Sequence, residues 1–231
     1  GLKRGFEDAR GTLFFDILTI AKQRKPKVLL LENVKRLRTH DNGKTIKVIF
    51  DSLRQIGYKF NADVLRAYDF GLPQKRERVF IVAFRDSESL GRFEFPGKQP
   101  HSIYKNVGDA LENAPPSEYT ISDKLWAGHQ RRLAEHKRKG HGFGYSLFSR
   151  KDEYVSTISA RYYKDGSEVL ISQKGKNPRK LTERECARIQ GFPEEFQFST
   201  SKKEAYQQFG NSVAVPVVRA LAKSILSSIK K

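Results

Sequence analysis

The sequence predicts an α/β protein containing one half of a doubly wound sheet. Two observations carry this. Val28-Leu29-Leu30-Leu31 is an all-apolar run that closes on Glu32-Asn33-Val34, and such a run reads as a strand buried on both faces, the habit of parallel sheets. Around it the apolar spacing switches between helical and strand periods in the order helix, strand, helix, strand, strand.

The elements follow in order. Residues 1–11 carry no apolar period and read as a loop. Residues 12–23 place Leu13, Phe14, Ile17, Leu18, Ile20 and Ala21 at helical spacing, and Lys25-Pro26 stops the helix. After the strand, Asp41-Asn42-Gly43 is a turn. Residues 44–56 form a second helix with Ile46, Val48, Ile49, Leu53 and Ile56 inward and Gly57 as its stop. Residues 58–65 and 79–84 read as strands. Three strands with two-sided burial are too few to stand alone, so the strand at 28–31 is expected to need a neighbour this chain does not supply. From Phe93 the texture changes, with Pro96, Pro100, Pro115 and Pro116 punctuating the stretch. Residues 122–139 form a basic helix. Residues 124–151 hold eight Lys and Arg against Glu135 alone, a net of +7. Residues 157–166 read as a hairpin turning at Asp165-Gly166. Helices are expected again at 182–190, 202–209 and 214–229. The segments are therefore 1–92, the later half of a catalytic-type α/β domain; 93–180, an inserted recognition region; and 181–231, a return to the first.

Composition narrows the class. The chain has 231 residues, 44 Lys and Arg against 26 Asp and Glu, a net charge of +18, one Cys and no Met. One Cys excludes a disulfide framework and a Cys-rich zinc site, and the five His show no metal spacing. No apolar run approaches the roughly 20 residues that cross a bilayer, and no signal peptide opens the chain. A membrane partner is therefore not expected. A cytoplasmic protein with a polyanionic partner is, nucleic acid first. The absent Met fits either a processed start or a piece of a longer chain.

Five stretches are candidates for chemistry. Glu32 directly follows the buried strand, and sites in open α/β sheets lie beyond the carboxyl ends of strands; a carboxylate there either binds a ligand or caps a backbone amide. In Gln74-Lys75-Arg76-Glu77-Arg78 the two Arg alternate with Glu77 and are expected on one face. They make either a site for an anion or polar ring, or an edge strand dressed in alternating charge. Phe209-Gly210-Asn211-Ser212-Val213 precedes the last helix, with Asn211 or Ser212 as N-cap and Gly210 open to close approach by a ligand. Cys186 lies mid-helix with no base beside it and reads as structural. Gly140, Gly142 and Gly144 mimic a phosphate loop, but no strand precedes them.

Glu7–Phe15, Glu32-Asn33-Val34, Gln74–Arg78, Arg184–Pro193 and Gln208–Val213, in this order and spacing, resemble the bacterial DNA (cytosine-5) methyltransferases, the modification partners of restriction systems. The resemblance covers nearly the whole chain. It implies a partial Rossmann-like methyltransferase sheet with an inserted small target-recognition domain, S-adenosylmethionine as cofactor and double-stranded DNA as partner. In the family's chemistry a Cys thiolate adds to C6 of a flipped cytosine, a Glu holds N3, and C5 takes the methyl group. The resemblance makes Glu32 the N3 partner, Arg78 a contact to the cytosine O2, and Arg76 a brace for the catalytic loop or a phosphate. Leu13, Asn211 and Ser212 would touch the methyl donor, and Thr157 a backbone phosphate.

Within the recognition region Ser159, Arg161, Tyr162 and Lys164 are expected at major-groove edges. Lys137, Arg138, Lys139, Lys174 and Lys176 are expected at phosphates. The stretches around Gly142–Tyr145 and Ser159–Gly166 look like recognition domains for CC-containing palindromes such as CCGG or CCWGG. The family's Gly-rich donor loop, acidic ribose residue and Pro-Cys-Gln nucleophile loop all precede the point matching Gly1. The expectation is a chain inactive alone and completed by an N-terminal methyltransferase polypeptide, or else a DNA-binding remnant that modifies nothing.

Overall fold

A computed structural model of the chain describes residues 9–99, 104–140, 142–199 and 201–229, and the side chains among them from Leu13 onward. Glu7 and Asp8 of the first motif and His141 lie outside the described residues. Two compact units emerge, one of residues 1–65, 77–96 and 220–231, the other of 66–76 and 97–219. This packing division cuts the chain differently from the three sequence segments, because residues 181–219 pack with the recognition segment.

The first unit is a three-stranded sheet in the order β1-β3-β2, with β1 Val28–Val34, β2 Lys59–Arg66 and β3 Glu77–Phe84. The helix expected from residue 12 begins three residues earlier, α1 running Ala9–Arg24, so part of the expected opening loop is helical. α2 spans Lys44–Gln55 and places Ile49 and Leu53 in the core with Ala21 of α1, Tyr58, Ile81 and Ala83. Leu29 and Leu31 pack against this cluster, so one face of the sheet is covered by α1 and α2.

One expectation fails here. β1 pairs antiparallel with β3, from Val28 opposite Phe84 to Val34 opposite Arg78. It stands at the sheet edge, and Leu30 and Val34 are exposed. The apolar run read as two-sided burial; among the described residues only one side is buried. β3 is the central strand, and Val79 through Phe84 are buried without interruption. α3, Ser87–Arg92, follows, its N-terminus capped by the Asp86 carboxylate accepting from Ser89 N.

The second unit holds α4 Val107–Ala110, α5 Asp123–Arg138, a small sheet of β4 Leu147–Phe148, β5 Leu170–Gln173 and β6 Lys176–Arg179, then α6 Glu183–Gln190 and α7 Lys202–Asn211. α8, Val215–Ile229, starts here and ends in the first unit. The hairpin lies at β5–β6, turning on Lys174-Gly175, and not at 157–166. Asp165-Gly166 is a turn as expected, with the Asp165 carboxylate accepting from Ser167 N, but no strand flanks it. Residues 202–229 are, by length and composition alone, long and apolar enough to cross a membrane. Ser212 to Ala214 break them, and α8 alone, at 15 residues, covers only about 22 Å of a roughly 30 Å hydrocarbon core.

The core of this unit gathers Val107, Tyr119, Val155, Ile158, Tyr162, Leu181, Cys186, Ile189, Tyr206 and Phe209. The Arg184–Pro193 motif is its framework. Thr182 and Glu185 form a capping box on α6. Glu185, fully buried, also accepts two bonds from the Arg179 guanidinium at 2.7 and 2.8 Å and one from Glu112 N at 2.8 Å. Cys186 is fully buried beside it. Burial pushes its thiol well up, and the neighbouring Glu185 and Glu183 push the same way.

Candidate base clamp and recognition surface

In the first unit Glu32 and Arg78 meet. Their positions on antiparallel β1 and β3 put both on one face of the sheet. Arg78 Nε lies 3.0 Å from Glu32 Oε1, with the side chains 15% and 29% exposed. Arg78 Nη1 donates to the Glu77 carbonyl at 2.9 Å. Burial draws the Arg78 pKa down, and Glu32 opposes this in part. The pair is thus half-sheltered, oriented by a second bond, and open at the carboxyl end of β1. A cavity of about 380 Å³ adjoins it, lined by Leu13, Phe14 and Ile17 of α1 with Leu31, Asn33 and Ile81 of the sheet, and reached by Glu32. Leu13 therefore shares a cavity with Glu32. Phe14 and Asn33 line it too; they lay within the sequence motifs without having been singled out.

Arg76 and Arg78 do not serve one face together. Arg76 is buried in the second unit, where its guanidinium donates to the carbonyls of Ile158 at 3.2 Å, Gly210 at 3.1 Å and Ser212 at 2.6 Å. It braces two backbone segments and offers nothing to an external anion. Gln74 was missed as a contributor. It is fully buried, accepts from Ile158 N at 3.1 Å and donates to the Ile189 carbonyl at 3.2 Å. Its place at the head of the Gln74–Arg78 motif was the signal.

The Gln208–Val213 stretch also differs from expectation. Asn211 ends α7 and Ser212 is its C-cap, the Ser212 hydroxyl donating to the Phe209 carbonyl at 2.8 Å, so neither caps α8. Asn211 is exposed and Ser212 half-buried. Ser212 lines a second cavity of about 560 Å³ with Phe192, Phe196, Phe198 and Phe209. Gly210 faces protein: a Cβ there would fall 2.3 Å from Ala160 N and the Ser159 carbonyl. Backbone cannot yield as a flexible side chain does, so Gly210→Ala is expected to destabilise the chain by about 1–3 kcal/mol. Urea denaturation checks this; an unchanged midpoint contradicts the packing.

In the recognition segment Arg161, Lys164, Lys137 and Arg138 are exposed and Thr157 is half-buried. Tyr162 requires correction. It is buried, its hydroxyl donating to the Val169 carbonyl at 2.6 Å and accepting from Leu181 N at 2.8 Å, so it cannot reach a base edge. The Ser159 hydroxyl is engaged by Glu168. Asp165 is tied to α5, accepting from Arg132 at 3.1 and 3.2 Å, while its carbonyl lies 3.2 Å from His129 Nε2. Burial holds the His129 pKa down. Arg132 and Arg150, which donates to the Gly108 carbonyl at 2.9 Å, are therefore internal ties within the +7 stretch.

Comparison with solved structures gives the class. The EhMeth methyltransferase of Entamoeba histolytica superposes with a TM-score of 0.76 at 20% identity, over 99% of this chain and 72% of that one. The Dnmt2 methyltransferase of S. pombe gives 0.71 at 20% identity, over 94% and 72%. The fold is that of an α/β methyltransferase.

The family follows from sequence. The model of the C-5 cytosine-specific DNA methylases matches residues 1–227, and the chain belongs to that family. It is 53% identical to the type II methyltransferase M1.ScrFI of Lactococcus lactis subsp. cremoris, covering all of this chain and 59% of that protein. It is 56% identical to M.NlaX of Neisseria lactamica, over 99% and 72%. The chain thus spans about three fifths to three quarters of these relatives' length.

Proposed function

We propose that the chain is the base-clamping and target-recognising portion of a type II DNA cytosine-5 methyltransferase. The supporting observation is the Glu32–Arg78 pair at the open end of β1, in a chain that matches the family over 1–227. Glu32 takes N3 of a cytosine turned out of the duplex and balances the charge that develops there; Arg78 orients the Glu32 carboxylate and reaches the cytosine O2. Arg76 holds the Ile158 and Gly210–Ser212 backbones in place.

S-adenosylmethionine, when bound, supplies an electrophilic methyl group. The apolar wall of Leu13, Phe14 and Ile17 beside Glu32 and Asn33 fits part of such a molecule; Asn211 and Ser212 are proposed as donor contacts from the sequence motif alone. Thr157, Arg161 and Lys164 face the DNA, and Lys137 and Arg138 hold phosphates. A CC-containing palindrome is the proposed target. Cys186, buried with its thiol pushed up, is not the nucleophile. By the family resemblance, that group is proposed to lie in a Pro-Cys-Gln loop outside these 231 residues. Exposed Leu30 and Val34 on edge strand β1 support packing of further methyltransferase structure against it.

The test mixes the purified chain with the N-terminal portion of M.NlaX and follows labelled methyl transfer to duplex DNA. The chain alone should transfer none and the mixture should transfer. Turnover by the chain alone overturns the proposal. Site-specific DNA binding without rescue favours a non-enzymatic reader instead.

A further inference from the structure

A second charged surface lies in the first unit, apart from the recognition segment. Residues 35–47 hold Lys35, Arg36, Arg38, Lys44 and Lys47 against Asp41 alone. Two of these cations are neutralised, Lys35 by Glu77 at 3.0 Å and Lys47 by Asp51 at 2.6 Å. Arg36, Arg38 and Lys44 are exposed, and among the described residues their side chains have no carboxylate or hydrogen-bond partner.

The backbone holds the three together. Residues 35–38 form a 3-10 turn directly after Glu32-Asn33-Val34. Leu37, at its centre, packs against the core of Ala21, Ile49 and Leu53, while Arg36 and Arg38 on either side point to solvent. Asp41, Asn42 and Gly43 then take three successive left-handed conformations, φ 48°, 51° and 84°. That reversal returns the chain to its own turn, where a Cβ on Gly43 would sit 3.7 Å from the Arg38 carbonyl. Lys44 is thereby delivered beside Arg38. Like charges side by side without counter-charge repel one another, and a polyanion relieves this.

We propose that Arg36, Arg38 and Lys44 hold backbone phosphates of the duplex next to the extruded nucleotide. The proposal rests on the function proposed above, and deepens it. The site begins four residues after Glu32, so it would grip the strand where the base leaves the stack, while the recognition segment is proposed to read sequence. Phosphate contacts set position and carry no sequence information.

The experiment compares the unaltered chain with Arg36→Gln/Arg38→Gln/Lys44→Gln by fluorescence anisotropy on a labelled duplex, between about 50 and 200 mM salt. The control, Lys22→Gln/Lys27→Gln/Lys223→Gln, removes the same charge from exposed positions outside residues 35–47. The expected result is a fall of about 2 to 3 in the slope of log affinity against log salt. It should be equal on specific and random duplexes and absent from the control. An unchanged slope, or an equal fall in the control, overturns the proposal while leaving the function intact. Failure of the unaltered chain to bind any duplex at the lowest salt overturns the function and this inference together.

Discussion

Glu32→Gln is expected to lower methyl transfer by the reconstituted enzyme by about 100-fold or more. The amide keeps the volume and an acceptor oxygen. It cannot share an acidic proton with N3, so it cannot relieve the electron density pushed onto the ring toward N3 as C6 is attacked. It also weakens the 3.0 Å contact that Arg78 makes, so the ring loses orientation at two edges. Arg78→Met should lower turnover too, and the double variant should be little worse than Glu32→Gln, because the two groups act as a unit. Single-turnover rates at saturating DNA, set beside DNA affinity, separate the chemical step from binding. Full turnover by the Gln variant overturns the assignment of Glu32.

Glu185→Ala is expected to cost about 3–5 kcal/mol of stability, because it strands the Arg179 guanidinium in the core. Arg179 and Glu185 are 5% and 0% exposed, and the carboxylate also serves Thr182 N and Glu112 N. Removing it breaks the capping box and leaves buried donors without acceptors. Arg179→Met/Glu185→Leu should recover part of the loss by removing both charges. Guanidinium denaturation of the three chains measures this. A single variant as stable as the parent would show that the pair contributes nothing.

Local chemistry made much of this legible. Helical spacing, Gly57 and the Pro and Gly stops located α1, α2 and the late helices to within a few residues, because those signals sit in the residues themselves. Glu32 was legible only as a candidate, since a carboxylate closing an apolar strand either binds a ligand or caps an amide; its ion pair with Arg78 is what the structure adds. What remained hidden depended on partners distant in sequence. Val28 to Leu31 read alike whether the next strand runs parallel or antiparallel, and the run does not report that one side stays open. Arg76 and Arg78 alternate as a strand should, but the sheet begins at Glu77, leaving Arg76 on the other side of a packing boundary. Tyr162 looked like a groove reader because nothing nearby reveals a hydroxyl that closes on Val169 and Leu181.

The contact of Gly210 with Ser159 and Ala160 bears on how specificity could be exchanged among relatives. The segment proposed to read DNA is not a free cassette. Its backbone near Ile158 to Ala160 is held by Gln74 and Arg76 and leaves no room for a side chain at Gly210. A graft that ends before Ile158 keeps this seam within one parent. A graft carried through Ala160 sets foreign backbone against a fixed frame, and must bring Gln74, Arg76 and Gly210 with it. New target sites are therefore most accessible through the exposed side chains of the segment, and least through its length or path.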